Sequence, residues 1–193
     1  MTASMPTREQ EAIKDSVDRI CSRFDDDYWL RKDREGGFPA DFHRAFADAG
    51  YLGICIPTEY GGSGLAIADA AVMMQAVAES GAGASGASSI HMNIFGLNPV
   101  VRFGTEAQKQ RMLPPLVRGD ERACFAVTEA DTGLNTTQLK LAARRTADGY
   151  VLDGSKVWIS TAQVAEKMLI LARTTPLEEV GRPSEGLSLF YTT

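Results

Sequence analysis

Along the first two-thirds of the chain apolar residues recur at helical spacing, and beyond that the period shortens towards two. Thr7 followed by Gln10 has the spacing of a capping box. Behind it Ile13, Val17, Ile20, Cys21 and Phe24 form one apolar stripe. A second helix is expected from Pro39 to Ala49, with proline in its first turn, Phe42, Ala45, Phe46 and Ala49 on one face, and Gly50 as its stop. Tyr51–Pro57 reads as extended and apolar, and Gly61, Gly62 and Gly64 mark a loop. A third helix fits Ile67–Ser80, with Ile67, Ala71, Met74 and Ala78 on one side. Gly81, Gly83 and Gly86 then break the chain before another apolar helix around Ser88–Leu97. Thr105 and Gln108 repeat the capping-box spacing ahead of Met112, Leu113 and a stop at Pro114–Pro115. Short helices with tight connections predict an orthogonal or bundled cluster.

After Gly119–Asp120 the strand candidates are Ala123–Thr128, Leu139–Thr146, Tyr150–Leu152, Lys156–Ser160, Met168–Ala172 and Leu187–Tyr191. Asp148–Gly149 signals a two-residue hairpin, and Asp153–Gly154 is a second turn of the same chemistry. Helices first and strands afterwards predict an α+β fold: an N-terminal orthogonal helical domain over 1–120, then an antiparallel β domain over 121–193. The stretch Gly186–Thr193 reads as a strand with no visible partner, so the β domain is expected to be truncated, with open edges and a half-covered core.

Composition narrows the function classes. Hydrophobic residues make up 44% and charged residues 23% of 193, as in ordinary globular proteins. The formal charge of −5 is spread out: residues 121–193 carry nine acids and eight bases, residues 1–120 sixteen and twelve. No basic stripe exists for nucleic acid or an anionic membrane, and no apolar run approaches the ~20 residues of a membrane span. Met1–Gln10 is polar and lacks the apolar core of a signal peptide. Cys21, Cys55 and Cys124 are odd in number and far apart, and they read as buried hydrophobes in a reducing, cytoplasmic compartment. His43 and His91 have no companion at zinc-ligand spacing.

Two segments carry chemistry. Phe125–Gly133 runs from a strand into a polar loop, where free backbone groups and the Thr128 hydroxyl could bond a flat heterocycle. By itself this segment reads as an ordinary strand followed by a turn, because loops of this composition are common. Lys156–Ser160 reads as another strand, with Trp158 and Ser160 on the same face. The indole could stack on a ring and the hydroxyl could bond its reactive edge, but taken alone Trp158 reads as a core tryptophan followed by a surface serine. Gly61–Gly64 has neither dinucleotide-loop spacing nor a phosphate-loop ending and reads as a flexible connection. His91 reads as a packing residue, Glu129 and Asp131 as neighbours that nothing pairs as acid and base, and Lys140, Arg144 and Arg145 as a solvated strand face, though a ligand phosphate could use them.

Four stretches, in order, resemble the acyl-CoA dehydrogenase family over essentially the whole chain. Ile56–Leu65 is similar to the family's "iPxeyGGxGl", and Phe103–Leu116 with Gly119–Asp120 to "fGTeeQKqryLpplxxGe". Phe125–Gly133 resembles "fAlTEpxAGsd", and Asp153–Ser160 resembles "nGxKxWIt". The resemblance implies an N-terminal helical domain, a middle β domain cut at Thr193 and an absent C-terminal helical bundle. It also implies FAD as cofactor, contacted by Phe125, Val127, Thr128, Gly133, Leu134, Trp158, Ile159 and Ser160. The helix around Ser88–Leu97 would line the acyl pocket, and Leu134, by its backbone, would lie near the substrate thioester.

The implied reaction is α,β-dehydrogenation of an acyl-CoA, a step of fatty acid metabolism. Electrons would pass to an electron-transfer flavoprotein, and the full-length protein would be a homodimer or homotetramer. The catalytic carboxylate would come from the absent C-terminal domain, so no catalytic residue is expected in this chain. Ala130, Leu134 and Asn135 depart from the proline, serine and aspartate usual at those places. A flavin oxidase or monooxygenase of the same fold, or a non-catalytic binding or assembly module, would fit the same residues.

Overall fold

The structure is a computed structural model describing residues 5–192. Met1–Ser4, the start of the polar N-terminal stretch, and Thr193, the end of the last expected strand, lie outside the described residues. The chain divides into two compact units, Met1–Glu121 and Arg122–Thr193.

In the first unit, α1 spans Arg8–Cys21. Its capping box is made as expected: the Thr7 hydroxyl accepts from Gln10 N, and the Gln10 side chain accepts from Thr7 N. Ile13, Val17, Ile20 and Cys21 are its buried face, which packs against α4 (Ile67–Val77). The helix α2, Asp26–Glu35, is absent from the sequence reading because its polar surface hides any period. Its ends were nevertheless written in the sequence. Asp25 accepts from Tyr28 N at 2.9 Å, acids sit in the first turn and bases in the last, and Gly36 ends it at φ +72°. Tyr28 and Trp29 reach back to Phe24 and Phe42 in edge-on aromatic pairs 5.0–5.2 Å apart.

The helix α3, Ala40–Asp48, buries Phe42 and Phe46, with Pro39 at its N-cap and Gly50 turning at φ +80°. Tyr51–Gly53 is a short 3₁₀ turn, not an extended segment. The glycine loop is also the reverse of flexible. Gly62 N donates to Pro57 O, Ser63 N to Gly53 O, Gly64 N to Ile56 O and Leu65 N to Ile54 O, all within 3.2 Å. A Cβ on Gly62 would lie 1.9 Å from Ile56 O, so only glycine admits this close approach.

In α4 the inward face is Ala70, Met73, Ala76 and Val77, while Ile67 and Ala71 point outward. The helix is apolar nearly all round, so its period did not select a face. A π-turn over 78–82, kinked at Gly81, leads into α5 (Gly83–Ile90), α6 (Met92–Phe95) and α7 (Asn98–Phe103). The expected helix around Ser88–Leu97 is thus divided between α5 and α6. Thr105 caps α8, Glu106–Val117, by the second capping box. This helix runs through Pro114 and Pro115 instead of stopping there. Both prolines lie in its last turns, and their carbonyls still accept from Arg118 N and Asp120 N.

The second unit is a five-stranded sheet of β1 (Ala123–Ala126), β2 (Ala142–Arg145), β3 (Tyr150–Asp153), β4 (Lys167–Arg173) and β5 (Leu187–Thr192). The expected α+β order holds, but the sheet is mixed rather than antiparallel. β1 and β2 pair in parallel with β4, while β2–β3 and β4–β5 are antiparallel. The long passage from β1 to β4 gives the chain room for the crossover that parallel pairing requires. Residues 146–149 close the β2–β3 hairpin, with Thr146 N donating to Gly149 O at 2.8 Å. The last strand does have a partner, since β5 pairs with β4 from Met168 to Arg173. Residues 156–160, expected as a strand, form none.

No helix among the described residues is long and apolar enough to cross a membrane, and no group of three or more His, Cys, Asp or Glu could hold a metal ion.

Candidate functional site

The strand β1 delivers Val127, Thr128 and Glu129 to its C-terminal end. Burial alone would push the Glu129 carboxyl up. The amides of Lys140 and Leu141, at 2.7 and 2.8 Å, and the Lys156 ammonium at 2.9 Å outweigh burial and hold it below the usual carboxylate range. Both side chains of this ion pair are buried, 5% and 7% exposed. Lys156 Nζ also donates to Val127 O at 2.9 Å, and Val157 N to Thr128 O at 2.9 Å. Glu129 and Thr132 exchange two main-chain bonds that close the turn around Ala130, the position where the family's usual proline is missing.

These bonds lead residues 156–161 across the end of β1. Thr161 Oγ1 fastens the far side of the arch to Ala123 O at 3.3 Å. The arch is strained. Trp158 at φ +58° and Thr161 at φ +64° are the non-glycine residues with positive φ among those described. Each such residue costs about 1–2 kcal/mol. Trp158 is 91% exposed, so no packing within the chain recovers that cost. With Ile159 it borders a cavity of about 590 Å³ whose floor includes Leu141, Leu152, Met168 and Ile170.

The positions expected from the sequence therefore behave unequally. The main-chain carbonyls of Val127 and Thr128 accept from Lys156 Nζ and Val157 N, and Ile159 lies with Trp158 in the cavity wall. Ser160 is exposed, and its side chain does not share a strand face with Trp158, because a left-handed residue in an irregular arch has no period of two. Phe125 lies half-buried on β1. Gly133 and Leu134 are exposed on the loop beyond Thr132, with Leu134 fully uncovered. The hydroxyls of Thr128 and Ser160 and the Trp158 indole N–H make no hydrogen bond among the described residues.

The Glu129–Lys156 pair was not legible in the sequence. Its only trace was a lysine amid apolar neighbours and a glutamate directly after a strand, twenty-seven residues apart. Lys140 does not stand alone on a solvated face either; it pairs with Asp131. His91 is the packing residue expected, with Nδ1 2.9 Å from Ser88 O and its ring against Phe95.

Residues 7–120 match the acyl-CoA dehydrogenase N-terminal domain and residues 124–193 the acyl-CoA dehydrogenase middle domain. A mitochondrial isovaleryl-CoA dehydrogenase of Solanum tuberosum is 30% identical over 183 residues, 94% of this chain and 43% of that protein. Among solved structures, PigA with FAD and proline superposes with a TM-score of 0.87 at 25% identity, over all of this chain and 49% of that one. The prolyl acyl carrier protein oxidase AnaB does so with a TM-score of 0.78 at 29% identity, covering 97% and 49%. This chain thus spans less than half the length of each of these relatives. With both domain matches in order across nearly its whole length, the chain belongs to the acyl-CoA dehydrogenase family.

Proposed function

We propose that this chain supplies the front wall of an FAD site in an enzyme that dehydrogenates an acyl-CoA thioester between its α and β carbons. The carrying observation is the Thr128–Val157 main-chain bond, which joins the segment of exposed, strained Trp158 to the residue that bears the unbonded Thr128 hydroxyl. Strain and an uncovered aromatic together mark a segment built to close on a ligand. FAD, when bound, supplies the hydride acceptor. Phe125, Val127 and Gly133 would border the cofactor, the Thr128 hydroxyl and main chain would bond it, and Trp158 would cover a ring face. Ile159 would pack beneath it, and the Ser160 hydroxyl would bond its edge. Leu134, through backbone groups at the exposed loop, would meet both cofactor and thioester.

The proton acceptor is not among these residues, so the 193-residue chain alone is expected to be inactive and to hold FAD weakly. An electron-transfer flavoprotein as acceptor, a homodimeric or homotetrameric assembly and a cytoplasmic location belong to the same proposal. An oxidase of this fold is the second reading, favoured by the likeness to AnaB.

Ser160→Ala tests the role of that residue in a protein that carries these two domains together with the remaining length its relatives have. Flavin content should be kept, while single-turnover reduction by an acyl-CoA slows about fivefold, the equivalent of one hydrogen bond of ~1 kcal/mol. An unaltered rate would return Ser160 to the surface. Oxygen consumption coupled to the same substrate would favour the oxidase.

A further inference from the structure

Arg173 ends β4 and is 6% exposed, yet its guanidinium meets no carboxylate among the described residues. It donates instead to five main-chain carbonyls: Thr137 at 2.6 Å, Pro183 and Glu185 at 3.1 Å, Leu139 at 3.3 Å and Thr175 at 3.4 Å. These carbonyls come from two irregular stretches, 135–139 and 174–186, which have no ladder of their own to satisfy them. A buried guanidinium without a counter-charge is expensive. Its planar fork of five donors is the one side chain that can serve so many diverging acceptors, and a lysine has three donors on a point charge.

The stretch 137–141 is consequently gripped twice. Arg173 holds its carbonyls at Thr137 and Leu139, and Glu129 holds its amides at Lys140 and Leu141. Glu129 also closes the other end of the loop through its reciprocal bonds with Thr132. Between these two anchors stands fully exposed Leu134.

We infer that Arg173 is a positioning residue for the ligand-facing loop 130–136: by fixing the carbonyls of 137 and 139 it sets where Leu134 stands. The inference rests on the reading of Leu134 as a substrate contact, and its test separates the two. Hydrogen exchange is measured on the 193-residue chain as wild type, Arg173→Ala and Arg173→Lys, without any ligand. Arg173→Ala should speed exchange at Lys140 and Leu141 by roughly tenfold or more while the β4 amides of Leu169–Leu171 keep their protection. About 20 mM guanidinium, far below denaturing concentrations, should restore much of that protection by occupying the carbonyl cradle, and ammonium at the same concentration should not. Arg173→Lys, which keeps charge and stem, should lie between.

Uniform loosening of the sheet, unchanged exchange at Lys140 and Leu141, or no recovery with guanidinium would overturn the inference. If the alanine variant fails to fold, the lysine variant decides: wild-type exchange in the loop would show that three donors suffice and that the fork has no special part. Separately, butyryl-CoA should slow exchange across 130–136 in the wild-type chain. Its failure to do so, with the arginine results intact, would remove the substrate reading and leave the positioning role standing.

Discussion

Glu129 and Lys156 meet in a buried ion pair at 2.9 Å, and that contact ties together the end of β1, the start of β2 and the arch that carries Trp158. Breaking such a pair from one side leaves a buried charge without its partner, which costs about 3–5 kcal/mol. Lys156→Met should therefore lower the stability of the second unit by that order. Glu129→Gln with Lys156→Met should cost less than the sum of the single changes. Denaturant melts of the four proteins measure the coupling, and strict additivity would mean that the pair does not act as a unit.

Acid should act on the same unit in a defined window. Glu166 pairs with Arg122, whose guanidinium and amide hold its carboxyl down to about 2 from an ordinary 4.5, and Glu129 is also depressed. A carboxylate depressed in the folded state stabilises fully above its unfolded value and loses that contribution as pH falls. Stability should thus be flat above about pH 5 and decline from about 4.5 towards 2. Glu166→Gln should flatten part of the decline, by about 1 kcal/mol once solvent screening of this half-exposed pair is allowed for. A stability maximum below pH 4 would contradict the assignment.

Gly62→Ala should be among the most damaging single changes in the helical unit. The added methyl would meet Ile56 O at 1.9 Å and Gly53 O at 2.7 Å, both main-chain atoms that cannot swing aside. A loss of about 3 kcal/mol or more is expected in thermal melts. Near-wild-type stability would mean that the loop is loose.

Trp158→Gly should have the opposite effect on the free chain. Glycine adopts φ +58° without strain, and removing an exposed indole opens no cavity. Folding stability should hold or rise by up to ~1 kcal/mol, while any flavin affinity falls. A marked loss of stability would show that the indole packs within the chain.

Much of the architecture was legible where local chemistry acts alone. Both capping boxes, the α1 stripe and a hairpin at Asp148–Gly149 follow from neighbours in sequence, although its loop takes four residues, 146–149, rather than two. The parallel pairing of β1 with β4 was not legible, because period two marks a strand without naming its partner or direction. Lys156–Ser160 alternates as a strand would, yet it has no neighbouring strand to pair with. Lys156 turning inward to Glu129 and Val127 spends the segment on side-chain bonds instead. The partners of Glu129 and Arg173 lie too far away along the chain for any spacing rule to join them.

An amide-resolved NMR titration of the 193-residue chain with FAD locates the flavin contact directly. Binding should be weak. Shift changes should concentrate at Val127, Thr128, Gly133 and Trp158–Ser160, and they should vanish in Trp158→Gly while the rest of the spectrum stays. Changes centred elsewhere, such as at the cavity beside Trp29 and Gly81 in the helical unit, or no change at millimolar FAD, would mean that the Trp158 arch does not hold the flavin.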